Sequence, residues 1–395
     1  MRCIAFGGSG WRILMMALVV RFGAACESSD VEMRLLVYDR ALDTYALEDV
    51  TVKTLDSISK LDGDATVVRG GLSIVLDYQA GSLEWNDEGN RIAFGAVREN
   101  GVLVPDSFDS LAMATVYYSM ELSYLFYKDT LALAEQMPPR LPTYYSPRVE
   151  TIHPNGDRVV ERDNAFYMKI DDDERAFFVV PFEQFQWIPM ALNSGIITHE
   201  YTHYIFDILV NDKILTMDNA SENFLRSLNE GSADYMAVVR TEDPLYMSHT
   251  IPSGLFVTPE CNASKDMELT RNIANPETRN YNAVMDVLAR STVPNDYCPY
   301  EIGLVVAALL YEIAGSIDSV NTGEPPTHKT LIRVGKWWIN ALEQLGQQLA
   351  SQRSFELWEA FGILIDEILI DTEKELACDI IRTRYRLYFS EVDGC

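Results

Sequence analysis

With 395 residues the chain has room for a short leader and two or three domains, and 48% apolar content is ample for packed cores. A net charge of −27 argues against a nucleic-acid partner, because such a surface repels phosphates. A soluble, exported protein suits that charge better.

Met1 to Cys26 has the form of an export signal. Arg2 and Arg12 supply positive charge, Ile13 to Val20 form an apolar run, and Gly23-Ala24-Ala25 offers small residues for cleavage. The run is too short to remain as a membrane span. Cys26, followed by the polar Glu27-Ser28-Ser29-Asp30, fits a bacterial lipoprotein site. The expectation is a leader over residues 1–25 and an exported product, with a lipid anchor at Cys26 or freely secreted.

Residues 31–104 predict a β-rich N-terminal region. Met33 to Tyr38, Ala65 to Val68, Leu72 to Tyr78 and Arg91 to Val97 are short, alternating or β-branched runs between Gly, Asp and Asn turns. Residues 105–240 predict an α+β lobe. Pro105-Asp106-Ser107 opens a helical stretch from Phe108 to Met137, stopped by Pro138-Pro139, whose dense aromatics read as core. Asn155-Gly156 marks a hairpin turn. Asp171-Asp172-Asp173-Glu174 reads as a solvated acidic turn; Ca²⁺ there is not favoured, since the EF-hand pattern is missing. Phe177 to Phe182 predicts a central strand.

The stretch from Gly195 to Val210 contains His199-Glu200-Tyr201-Thr202-His203, uninterrupted by Pro and capped by Asn193 or Ser194. On a helix, side chains four apart point the same way, so His199 and His203 can offer two imidazoles to one metal ion. Glu200, one residue round, can reach a water beside that ion and take its proton. Ile197, Tyr201, Tyr204, Ile205 and Ile208 cover most of the remaining circumference, so the polar stripe would be costly to bury without a cation. Zinc needs a third protein ligand and an open position. Ser227-Leu228-Asn229-Glu230-Gly231-Ser232-Ala233-Asp234 supplies one: Glu230 as ligand, with Asp234 one turn on to accept the free ring N–H of a ligating imidazole. The competing reading of Ser227-x-x-Glu230 is a capping box.

From residue 241 to 395 the chain reads as a loop-heavy linker, Thr241 to Pro299, and then a helical lobe. Its predicted helices run Ile302 to Ile317, Lys329 to Leu349, Phe355 to Ile370 and Thr372 to Phe389. Of 6 cysteines, Cys3 and Cys26 belong to the leader or anchor. Cys261, Cys298, Cys378 and Cys395 remain, and the local staples Cys261–Cys298 and Cys378–Cys395 are favoured among three connectivities.

The H-E-x-x-H helix followed by E-x-x-x-D on a second helix resembles the gluzincin zinc metallopeptidases, most of all thermolysin and fungalysin. Asp163-Asn164-Ala165-Phe166-Tyr167 is similar to their Asn-Ala-Phe/Tyr-Trp edge segment, and Tyr300-Glu301-Ile302-Gly303 resembles the fungalysin His-Gly-Ile-Gly. The resemblance implies a thermolysin-like α+β fold, one catalytic Zn²⁺ and a polypeptide substrate held along Asn164, Ala165 and Phe166. It implies Glu200 as general base. Tyr300 stands where the family has its oxyanion-binding His, with Tyr297 and His249 as reserve donors. That replacement supports an alternative: a catalytically weak or inactive zinc-fold surface protein used for binding or adhesion.

Overall fold

The structure is a computed structural model that describes residues 30–250, 272–274, 298–318, 325–384, 392 and 395, apart from 43, 78, 90, 138, 154, 161–163, 171–173, 181–187 and 215. The expected leader with Cys26, the acids 171–173, Cys261 and Tyr297 lie outside the described residues, as does the side chain of Cys298. The fold is mixed α+β, β-rich at the N-terminus and helical at the C-terminus.

Among the described residues nine strands come first: β1 Val31–Asp39, β2 Thr44–Val52, β3 Leu55–Ser57, β4 Asp62–Gly63, β5 Thr66–Arg69, β6 Ser73–Asp77, β7 Ser82–Asn86, β8 Ala96–Glu99 and β9 Val102–Pro105. Helix α1, Phe108–Leu125, follows, then strands β10 Leu141–Tyr145, β11 Arg148–Ile152, β12 Arg158–Val160, β13 Asn164–Lys169 and β14 Arg175–Val180. Among the described residues the helices that follow are α2 Ser194–Leu209, α3 Asn219–Thr241, α4 Cys298–Asp318, α5 His328–Leu349, α6 Leu357–Glu367 and α7 Asp371–Arg384.

Strand order is β2-β1-β9-β8 in one sheet, β13-β14-β10-β5-β4-β3 in the second and β12-β11-β6-β7 in the third. Period-two alternation sends Val31, Met33 and Leu35 of β1 inward, where they join the main core. That core runs without a break from β1 through α1, α2 and α3 to the C-terminal helices. A smaller cluster, including Ile74, Val149 and Phe178, fills the space on the other side of β14. Strand β13 is the outer strand of the six-stranded sheet, paired among the described residues with β14 alone, and its residues Asn164 to Tyr167 line a cleft.

Several sequence expectations are corrected. Arg91 to Phe94 is not strand; the strand begins at Ala96 and pairs with β9. β2 has strand-favouring ends, Thr44-Tyr45 and Val50-Thr51-Val52, around a middle of Leu47-Glu48-Asp49 that does not favour a strand, and pairing along the whole of β1 carries the strand through it. Helix α1 starts where expected, its Ser107 cap accepting from Ser110 N, but it ends at Leu125 and passes into a π-helical turn, Phe126–Thr130, instead of reaching Met137. Residues 219–227 form the opening turns of α3, capped by Asp218, so the segment Ser227 to Asp234 lies within one long helix. Gly231 lets α3 approach α4 closely: a Cβ on Gly231 would lie 2.5 Å from Val306 Cβ and 2.6 Å from the Gly303 carbonyl oxygen. At the C-terminus, Cys378 and Cys395 are joined by a disulfide, tying the tail to α7.

Candidate metal centre

Asn193 sets the start of α2, its Oδ1 accepting from Gly195 N at 3.0 Å and Ile196 N at 3.2 Å. Its Nδ2 also donates to the Tyr246 carbonyl at 2.7 Å and to Thr250 Oγ1 at 2.8 Å, which binds the next segment to the helix start. Gly195 is required there, because a Cβ would lie 2.5 Å from the Tyr246 ring. The helix is buried nearly all round, with only His203 and Ile208 of its middle and last turns partly open.

The side chains at 199 and 203 then meet as the spacing requires. His199 Nε2 and His203 Nε2 lie 3.1 Å apart with the rings at 89°. Glu230, in the middle of α3, brings Oε2 to 3.5 Å from His199 Nε2 and Oε1 to 3.7 Å from His203 Nε2. Two zinc-bound nitrogens at about 2.0–2.1 Å from the ion in a tetrahedral site sit roughly 3.3 Å apart, so this donor set fits a zinc ion. The capping-box alternative for Glu230 fails, because α3 begins at Asn219 and Ser227 Oγ donates to the Asn223 carbonyl instead.

The outer nitrogens of both rings are held as well. His199 Nδ1 lies 2.9 Å from Asp234 Oδ1, which also accepts from Tyr246 Oη at 2.7 Å, and Tyr246 Oη is 3.1 Å from the same ring nitrogen. His203 Nδ1 donates to Asn229 Oδ1 at 2.9 Å. Both rings therefore hold their Nδ1 proton outward, so that Nε2 carries the inward lone pair whenever the ring is neutral. Burial pushes the His199 pKa down, but Asp234 and Glu230 outweigh it and raise the metal-free imidazole to about 9. The site attracts a cation even when that cation is only a proton.

Glu200 faces the same cleft, about 370 Å³ in volume, with Asn164, Ala165, Phe166 and Tyr300 also in its lining. Tyr167 N of β13 donates to Glu200 Oε2 at 2.9 Å. Burial raises the Glu200 carboxyl above its ordinary pKa, against the pull of both imidazoles and that N–H. Asp207, one turn beyond His203 and also in the cleft, accepts from Tyr167 Oη at 2.8 Å and from Asn211 Nδ2 at 2.5 Å. Tyr300 is 36% exposed, at the rim.

His249 is not brought to the cleft. Its Nε2 is 2.7 Å from Asp243 Oδ2 and its ring packs 4.7 Å from that of Tyr38, which corrects its placement as a reserve oxyanion donor. The sequence reading missed Asn229, Tyr246, Tyr167 and Asp207. Asn229 and Asp207 carried a signal, being next to Glu230 and on the 199–203 stripe respectively. Tyr246 carried none, since only the fold brings it to His199.

No protein-family model matches the sequence, and no curated protein matches it. Among solved structures, the chain is similar in outline to the precursor of protealysin, a metalloproteinase from Serratia proteamaculans, at 10% identity and a TM-score of 0.42, covering 82% of this chain and 88% of that one. A likeness at that level is one of outline, and the metal reading rests on the side chains.

Proposed function

We propose that the protein is a zinc metallopeptidase of the gluzincin type, with His199, His203 and Glu230 holding the ion. The observation that carries this reading is the convergence of the two Nε2 atoms and the Glu230 carboxylate beside Glu200 in one cleft. When bound, zinc supplies Lewis acidity, lowering the pKa of water and polarising a carbonyl.

The chain's own residues do the rest. Glu200, with its raised pKa, accepts a proton from the attacking water and returns it to the departing amine. Tyr167 N–H holds the Glu200 carboxylate while the outer edge of β13, from Asn164 to Phe166, pairs with the backbone of an extended polypeptide. Tyr300 at the rim donates to the developing oxyanion. Asp234 and Asn229 keep both imidazoles oriented. The leader-like N-terminus and the Cys378–Cys395 disulfide support work outside the cytoplasm.

The test is cleavage of a denatured protein that a chelator abolishes and zinc restores. Glu200→Gln should retain zinc and lose activity by at least about 10²-fold, the contribution of a general base. Normal cleavage by that variant would reject the assignment, and inertness of the zinc-loaded wild type would favour a non-catalytic binding protein.

A further inference from the structure

A second cavity, of about 250 Å³, lies between the β1–β2 hairpin and helices α1 and α3. Its lining is mixed: Val37, Tyr38, Val50, Tyr118 and Leu122 give an apolar and aromatic side, and Ser119, Thr241, Glu48 and Arg240 a polar one. Arg240 Nε donates to Thr198 Oγ1 and Nη2 to the Ser194 carbonyl at 2.6 Å, both in the first turns of the metal helix. Its Nη1 group makes no hydrogen bond among the described residues, and no carboxylate among them pairs with it. Burial pushes the Arg240 pKa down to about 10.

The other charges at the cavity do not supply that counter-charge. Arg40 is paired with Glu242 at 2.6 Å, and Glu48 is an exposed residue of β2. A guanidinium with no carboxylate partner among the described residues, beside an apolar and aromatic wall, suits one negative charge on an apolar body. A dianion such as phosphate is disfavoured by Glu48 and by a chain of net charge −27. We propose that this cavity binds a small aromatic or aliphatic monocarboxylic acid, its carboxylate on Arg240 and its body against Tyr38 and Tyr118. The site is separate from the metal cleft in its lining, and this inference does not depend on the peptidase reading.

The test compares 3-phenylpropionate with 3-phenylpropanamide by calorimetry and ligand-observed NMR. The acid should bind wild type with a Kd of about 1 mM, as a fragment of its size allows, and the amide at least about tenfold more weakly, the worth of a charge-assisted hydrogen bond. Arg240→Met should lose acid binding by at least about tenfold, whereas His203→Ala, which dismantles the metal site, should retain it. Val37→Trp fills the chamber with Arg240 in place and should block the acid, so the test does not hang on how well Arg240→Met folds. Equal binding of acid and amide, no binding to wild type, undiminished binding to Val37→Trp or a folded Arg240→Met, or loss confined to His203→Ala (acid on the metal) would each overturn the proposal.

Discussion

Tyr246 is the residue on which the orientation of His199 turns. Its hydroxyl meets both Asp234 Oδ1 and His199 Nδ1, and its ring presses on Gly195 at the start of α2. Tyr246→Phe keeps the ring and removes the hydroxyl, so it should weaken zinc affinity by about tenfold, the lower end for an outer-shell partner. Competition with a fluorescent chelator measures this, and unchanged affinity would leave Tyr246 a purely packing role. The raised His199 pKa adds a pH dependence. In the metal-free protein its value of about 9 stands above the ordinary 6.5, so the stabilisation it gives is complete below pH 6.5 and is lost as pH rises through 9. Zinc requires the neutral ring, so apparent zinc affinity should rise over the same interval. Denaturant unfolding of the metal-free protein across that range should show the decline, and Asp234→Asn should flatten it.

At the scale of elements, the site depends on how α3 is clamped between α2 and α4. Gly231 and Gly303 let α3 and α4 touch backbone to side chain, and a Cβ on Gly303 would lie 2.7 Å from Glu230 Cβ. The crossing therefore positions Glu230, the proposed third ligand, and carries Tyr300, near the start of α4, to the rim of the cleft. Gly231→Ala should cost about 1–3 kcal/mol by overpacking, although alanine is the better helix former. It should also lower zinc affinity by displacing Glu230, and a thermal melt with a parallel chelator titration separates the two effects. A variant more stable than wild type would show that the crossing has slack. Ser232, next in line, accepts from Trp338 Nε1 at 3.0 Å, so the α3 segment after Glu230 is pinned to α5 as well.

Across the whole molecule, what could be read from the sequence was what is periodic and local. His199, Glu200 and His203 share a helix whose register places them without help from the rest of the chain. Glu230 and Asp234 share another, and the disulfide joining Cys378 to Cys395 spans only 17 positions. Residues whose placement depends on chain topology were not legible. β2 stays a strand through Leu47-Glu48-Asp49 because β1 lies beside it, and Tyr246 reaches His199 because Asn193 ties its carbonyl to a helix cap. His249, apt for chemistry by residue type, is packed against Tyr38 instead. Arg240 lies at the end of α3, where a cation is ordinary, and only the fold shows that no carboxylate among the described residues pairs with it.

The whole account rests on one ion held by residues from two helices, and the metal-to-protein ratio after gel filtration in zinc tests it most directly. Wild type and Glu200→Gln should each retain about one zinc per chain, while His203→Ala and Glu230→Ala, folded by circular dichroism, should retain none, as expected when a three-ligand site loses one donor. Stoichiometric zinc in Glu230→Ala, or none in wild type, would contradict it.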